Sequence, residues 1–355
     1  ALAGAARAEP RFAVREGARC SLCHVNQTGG GMRTPFGASF AQTNLAMVRT
    51  RGVFDPRLGE SVSLGANLRL ANRTLLPAHT SLDGVDRKTR THNSFDITEG
   101  NLYLLAAASD RLAVYFDETV TPEAASSREA FLLVHDLPHG AWVKAGRFML
   151  DYGLRIPDDQ AFIRGQTGFN YANADLGLEA GIAPGPVQLV VALTNGSLGG
   201  SDPNRAKQVT AHATVTSGHA QAGLGLAWND TSAEDFTFQQ ITAGGHLAGR
   251  LGRLVLLGEL DWIRGDSGTD AYQQWALYSE ADFEARQGLF VRAGFEAFDP
   301  LRSLAENERD RFRVGVSWFA MQLVELRAEY WLNRDIPQRV DGNADALIVE
   351  VNGYL

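Results

Sequence analysis

From about Gly59 to the last residue, apolar and polar side chains alternate one for one. Leu64, Ala66, Leu68 and Leu70 fall on one face, and Asn67 and Arg69 on the other. Leu224, Leu226 and Trp228 oppose Gly223, Gly225 and Ala227, and Leu254, Leu256, Leu260 and Trp262 oppose Arg253, Glu259 and Asp261. The same holds for Phe312 to Trp318, for Val324 to Leu332 and for Leu347 to Leu355. A period of two is the mark of a β-strand with one apolar face. About sixteen such runs occur, each long enough to cross a bilayer obliquely, which takes ~9–11 residues.

The connections alternate as well. Tight turns fall at Ser109-Asp110, Pro138 to Gly140, Ala183 to Pro186, Ser217-Gly218, Gly249 to Gly252, Ala285 to Gln287 and near Ala320. Longer polar stretches lie between them, at Pro77 to Asn93, Thr121 to Ser127, Gly153 to Phe169, Gly196 to Arg205, Gly265 to Asp270, Pro300 to Arg309 and Arg334 to Asn343. Short turns at one end and long loops at the other predict an all-β fold, a transmembrane antiparallel β-barrel, with both termini on the periplasmic side. Trp228, Trp262, Trp318 and Tyr330 sit near strand ends, where aromatic girdles meet the lipid interface. The alternative is a large water-soluble all-β protein, but no 40–50-residue repeat marks propeller blades.

Composition changes this picture little. No run of 18 apolar residues exists, so no transmembrane helix is expected, and a barrel shows no such run either. A net charge of −8 argues against nucleic acid as a partner. The inward faces carry many charges, among them Glu259, Asp261, Glu280, Asp282, Glu284, Glu325 and Glu329 with Arg69, Arg292, Arg313 and Arg327. These read first as a solvated, ion-paired lumen. The stretch Arg155 to Asp159, with Arg164, is expected to fold inward as a constriction. Asp158 and Asp159 are adjacent and make a weak metal pair.

Residues 9 to about 52 lack the alternation, and the barrel is expected over 53–355. Residues 1–8 resemble the tail of a secretory signal, with Ala6-Arg7-Ala8 as a small-x-small cleavage site, so the mature chain is expected to begin at Glu9. The only two cysteines of the chain stand in Cys20-Ser21-Leu22-Cys23-His24. Two thiols at this spacing add to the two vinyl groups of one porphyrin, and the following histidine becomes an axial iron ligand. One covalent haem c, held by Cys20, Cys23 and His24, is therefore the expected cofactor. A redox CxxC pair or a surface disulfide is the plainer alternative, but no βαβ context follows. The segment is too small to bury a core alone, so a haem, or docking on the barrel, must complete it. Gly29-Gly30-Gly31 allow close backbone approach to a flat ring, and Phe36 and Phe40 offer aromatic surface to it. Met32 is the nearest candidate for the second axial position, since an eight-residue span of roughly 25 Å can pass around the ring. Met47, His135, His139, His219 and His246 are the others.

The layout of a haem c segment followed by a barrel resembles the fused monohaem cytochrome–porins of the bacterial outer membrane, whose known members include iron oxidases. The resemblance covers the whole layout, and its specific motifs are Cys20 to His24 and Thr34-Pro35-Phe36-Gly37-Ala38-Ser39-Phe40. The family usually has an arginine after that glycine and a lysine after the second phenylalanine, where this chain has Ala38 and Ala41. The resemblance thus implies the fusion, with Pro35 and Phe36 beside the haem, more firmly than iron as the donor. It also implies one haem at the mouth or in the lumen, carrying electrons between an extracellular donor or acceptor and periplasmic cytochromes. Two other readings stay open. In one, the barrel is a porin or scaffold whose haem segment docks to a multihaem cytochrome assembly. In the other, the haem iron has an open position and is enzymatic.

Overall fold

The computed structural model describes residues 9–50, 52–82, 85–122, 125–202, 204–232 and 237–355. The expected signal remnant at residues 1–8 lies outside them. Sixteen antiparallel strands close into one barrel. In chain order they are β1 (Val62–Leu75), β4 (His92–Ser109), β5 (Leu112–Thr121), β6 (Ser126–Leu137), β7 (Ala141–Phe148), β8 (Asp175–Ile182), β9 (Val187–Thr194), β10 (Gln208–Ser217) and β11 (Ala220–Asp230). There follow β12 (Gln239–Leu251), β13 (Leu254–Asp266), β14 (Ala271–Arg286), β15 (Leu289–Asp299), β16 (Arg309–Met321), β17 (Val324–Arg334) and β18 (Ala346–Tyr354). A small hairpin, β2 (His79–Leu82) with β3 (Val85–Lys88), stands apart in the β1–β4 connection. The sequence showed only a polar loop there, because the hairpin is too short to display a period.

Closure is a backbone matter. β1 pairs with β18 over nine registers, from Asn67↔Tyr354 to Leu75↔Ala346. With its last edge satisfied, the barrel leaves no unpaired ladder in the hydrocarbon layer. Strand faces follow the alternation. Leu68, Leu178, Leu224, Leu247 and Phe312 are each more than half exposed, whereas Asn67, Arg69, Glu179, Asp261 and Arg313 are buried inside. Polar groups facing lipid have no partner there, so the charged face must turn to the lumen. No described helix is long and apolar enough to cross a membrane.

The connections at one end run two to four residues, and at the other four to 26. Strand β1 begins and β18 finishes at the short-turn end. One longer connection, residues 231–238 between β11 and β12, was not singled out in the sequence.

The interior departs from the solvated lumen that the charges suggested. Two segments enter it. From the short-turn end come residues 9–50, with helices α1 (Pro10–Glu16), α2 (Cys20–Cys23) and α3 (Pro35–Phe40). From the long-loop end comes the β7–β8 connection, residues 149–174, which folds inward as the sequence suggested. Its Leu154, Ile156 and Ile163 are almost fully buried. They pack with Val14 of α1 against Val255, Leu257 and Tyr278 of the wall. Phe12 of α1 meets the rings of Phe290 and Phe319 edge-on, at 5.6 and 5.8 Å. An inward apolar residue on a barrel strand thus marks where an insert rests.

Ion pairs fix the orientation of α1. Arg11 pairs with Asp282 and Arg15 with Glu284, while Arg327 reaches Glu9 at 3.2 Å. A buried charge stripped of its partner costs about 3–5 kcal/mol, so sliding the segment out of register is unfavourable. Backbone contacts stitch the same segment to the rim. Arg19 donates to the carbonyls of Ala183 (3.1 Å), Gly185 and Val187 (3.2 Å). Gln287 donates to those of Thr43 and Ala46 at 3.1 and 2.9 Å.

Candidate haem-binding site

The site is built on one helical turn. In α2 the main-chain N–H of His24 donates to the Cys20 carbonyl at 2.9 Å, which puts both thiols and the histidine on consecutive edges of a tight loop. The two cysteines are free and half-buried. The stretch after it acts as a brace. Thr34 N–H donates to the Cys23 carbonyl at 3.0 Å, and the Thr34 hydroxyl donates to the Leu22 carbonyl at 2.8 Å. That hydroxyl also accepts from the Gly37 N–H at 3.1 Å, capping α3. Pro35 opens the helix, where its missing N–H is not needed. Gly37 lies so close to the Cys23 carbonyl that a Cβ there would collide with it. The role of Thr34 to Gly37 is therefore to hold the CxxCH turn.

The two thiols and the histidine line one cavity. Phe12, Phe40 and Tyr354 form apolar parts of its wall. His24 is buried, and its Nδ1 has no hydrogen-bond partner among the described residues. Burial, with Arg33 and Arg155 nearby, pushes the imidazole down to about 3. It is thus neutral, the form that binds a metal. Two thiols on one helical turn, a neutral buried imidazole and an aromatic wall are the donor set that a covalently held porphyrin needs.

The other predicted residues lie as follows. Met32 is buried against Tyr103, Tyr115 and Phe131, and its N–H donates to the Tyr115 hydroxyl at 2.9 Å. It shares a second cavity at the short-turn mouth with His24 and Pro35 and does not line the cavity of the thiols. Phe36 is half exposed and stacks on Phe40, 6.3 Å away, which does line it. Gly30 fits under the Tyr171 hydroxyl and Gly31 under that of Tyr115, so these two backbones also approach tyrosines of the loop and wall. Of the other axial candidates, His135 lines the mouth cavity, His139 and His219 stand in short turns, and His246 is buried deep in the lumen.

Asn26 and Thr28, which the sequence alone does not single out, tie the segment to the wall and to the inward loop. Asn26 Nδ2 donates to Glu129 at 3.0 Å. The Thr28 hydroxyl accepts from Lys144 at 3.1 Å and from Arg155 at 2.9 Å. Arg155 belongs to the inward loop, so the CxxCH segment and the constriction touch. That loop is pinned in turn: Arg313 pairs with Asp158 at 3.0 Å, and Glu296 accepts from the Phe162 N–H at 2.9 Å. Asp158 is thereby committed to an arginine, and Asp159 accepts from the Tyr171 N–H at 3.2 Å. No group of three or more metal-ligating side chains is found among the described residues.

Burial, with Asp151 near, pushes the Cys20 thiol up to about 11. Only the thiolate attacks an alkylating reagent. In haem-free Cys23→Ser protein, the rate of iodoacetamide labelling at Cys20 is therefore expected to climb about tenfold per pH unit from pH 7 to 10. Saturation near pH 9, as for an ordinary thiol, would contradict the enclosed setting.

Fold and lumen together define a transmembrane barrel of the porin type that carries a CxxCH segment inside its short-turn mouth. No protein-family model matches the chain, and no curated protein is similar to it in sequence. Solved structures share its fold. Outer-membrane-expressed OmpT of Vibrio cholerae aligns at a TM-score of 0.60 and 11% identity, over 85% of this chain and 100% of that one. An anion-selective porin from Comamonas acidovorans aligns at 0.59 and 10%, over 83% and 99%. The outer-membrane channel DcaP of Acinetobacter baumannii aligns at 0.58 and 13%, over 85% and 99%. At these identities the likeness is one of fold.

Proposed function

We propose that this chain is an outer-membrane electron conduit holding one haem c. In this reading the short-turn end, with both termini, faces the periplasm. The partners are an extracellular donor or acceptor at the long loops and periplasmic or multihaem cytochromes below. The observation that carries the reading is the meeting of the CxxCH segment with the inward loop at Thr28 and Arg155. The hydrocarbon layer is ~30 Å thick, so one redox centre serves only if it sits within the wall and partners approach from both sides.

Cys20 and Cys23 would hold the group through thioethers, and His24 would ligate its iron. When bound, the haem supplies one-electron redox chemistry. The chain's own residues set its surroundings. Phe12, Phe40 and Tyr354 exclude water from one side. The brace from Thr34 to Gly37 keeps the histidine under the thiols. Met32 would be a second iron ligand by its spacing only after leaving its packing in the cluster with Tyr103, since it does not line the thiol cavity. Ala38 and Ala41 give no support to iron as the particular donor.

The test is vesicle-based. With the protein reconstituted in liposomes around a trapped redox dye, a membrane-impermeant outside reductant is expected to change the dye many times faster than with a His24→Ala variant. Equal rates sink the proposal. A second reading, a porin or scaffold, draws on the likeness in fold. Swelling of the same liposomes in small neutral solutes favours it, whereas the inserts that fill the lumen oppose it.

A further inference from the structure

We propose that the lumen contains a second site, for one divalent first-row transition-metal ion, with His212 and His246 as its ligands and Asp151 as the residue that orients His212. The site is separate from the CxxCH turn and stands whether or not a haem is bound there.

The sequence makes room for it in an unusual way. Strand β11 turns Leu224, Leu226 and Trp228 outward, and between Gln221 and Asn229 it shows the lumen only Gly223, Gly225 and Ala227. Its neighbours on either side are β10, which places His212 opposite Gly225, and β12, which places His246 opposite Gly223. Two bulky rings therefore flank a strip of backbone that has no side chains of its own. The His246 ring lies in the space a Cβ of Gly223 would take. Tyr152 of the inward loop covers Gly225 in the same manner, and its hydroxyl is anchored on Asp261 at 3.0 Å.

The donors are poised. Asp151 Oδ2 lies 3.0 Å from His212 Nδ1. This carboxylate takes the Nδ1–H and leaves Nε2 with a free lone pair. Such a carboxylate–histidine arrangement is the usual outer support of a metal-bound imidazole. The nearest partner of that Nε2 is the Thr214 hydroxyl, at a long 3.4 Å. His246 is only 4% exposed, and its Nδ1 has no hydrogen-bond partner among the described residues. A buried imidazole nitrogen without a partner is a cost that a bound ion removes.

Spacing agrees. The ring centres are 5.4 Å apart, with planes at 60°. With metal–nitrogen bonds of about 2 Å, an ion lies ~3 Å from each ring centre, so two shared imidazoles fall roughly 5–6 Å apart. Imidazole suits zinc, copper, nickel and iron in their divalent states. Two protein ligands leave positions for water, so the ion is exchangeable and not a closed structural centre.

The experiment is calorimetric titration of tag-free, detergent-solubilised full-length protein with Zn²⁺. One ion per barrel is expected, at micromolar affinity. His212→Ala and His246→Ala are each expected to abolish the site or weaken it by more than tenfold, and Asp151→Asn to weaken it about tenfold. His219→Ala, in a short turn on the rim, is expected to leave it unchanged. Heat-modified migration on denaturing gels checks that each barrel is closed, and His246→Gln replaces the alanine variant if that one fails. Absence of saturable Zn²⁺ binding, or binding that survives in folded protein lacking both histidines, overturns the proposal.

Discussion

Under the haem reading, Cys20→Ser/Cys23→Ser protein is expected to lose all covalent haem while the barrel still forms. Thioether bonds survive denaturing electrophoresis, so haem-linked peroxidase staining reads attachment directly. The expected change is from a stained band to none, with the unboiled protein still migrating as a closed barrel. The separation of the two outcomes follows from the structure. Closure rests on the β1–β18 ladder, and neither cysteine belongs to a strand. Any haem held only on the apolar wall of Phe12, Phe40 and Tyr354 would be noncovalent. It would be extracted by detergent and heat. A stained band in the double variant would mean that the CxxCH turn holds no porphyrin, and the electron-transfer reading would fall with it.

Removal of residues 9–50 is expected to turn a filled lumen into an open one. Liposome swelling in small neutral solutes should rise by an order of magnitude or more, and the folded barrel should persist. The argument has two parts. Residues 9–50 contribute no strand to the closed sheet. They do contribute Phe12 and Val14 to apolar clusters at the wall, and Arg11 and Arg15 to ion pairs. Their loss leaves Asp282, Glu284 and Glu325 on a wall that Arg292 and Arg327 only partly neutralise. Reversal potentials in a salt gradient should therefore favour cations over anions. A truncated barrel no more permeable than the full chain would show that the loop at 149–174 closes the lumen alone.

The barrel was legible because its physics is local and repeated. Lipid on one side and a polar interior on the other force a side-chain period of two, strand after strand. Most of the short turns could be read for the same reason, since two-residue connections favour Gly, Asp or Ser, although the Gln322-Leu323 turn has none of them. What could not be read was where inserts touch the wall. Val255, Leu257, Phe290 and Phe298 look like errors in the alternation, yet they are the seats of α1 and the inward loop. The CxxCH turn was legible as chemistry. Its brace was not, since Thr34 and Gly37 act through backbone carbonyls of Leu22 and Cys23. The glycines at 29–31 signalled close approach, and the tyrosines that meet Gly30 and Gly31 lie too far off in sequence for a local pattern to name. His212 was missed outright. Its signal was the glycine strip on β11, two strands' worth of partners seen only once register is known.

The stitching of residues 9–50 to the rim sets a timetable for biogenesis. Gly17 lies against the turn at Gly218, Arg19 clasps three carbonyls, and Met47 bonds to Phe319. A cofactor-loading enzyme needs the CxxCH turn extended and its thiols in reach, a state that exists only while the chain is unthreaded. Under the haem reading, a molecule that reaches the membrane and closes without its porphyrin is a dead end, and cells that make it must finish maturation before insertion.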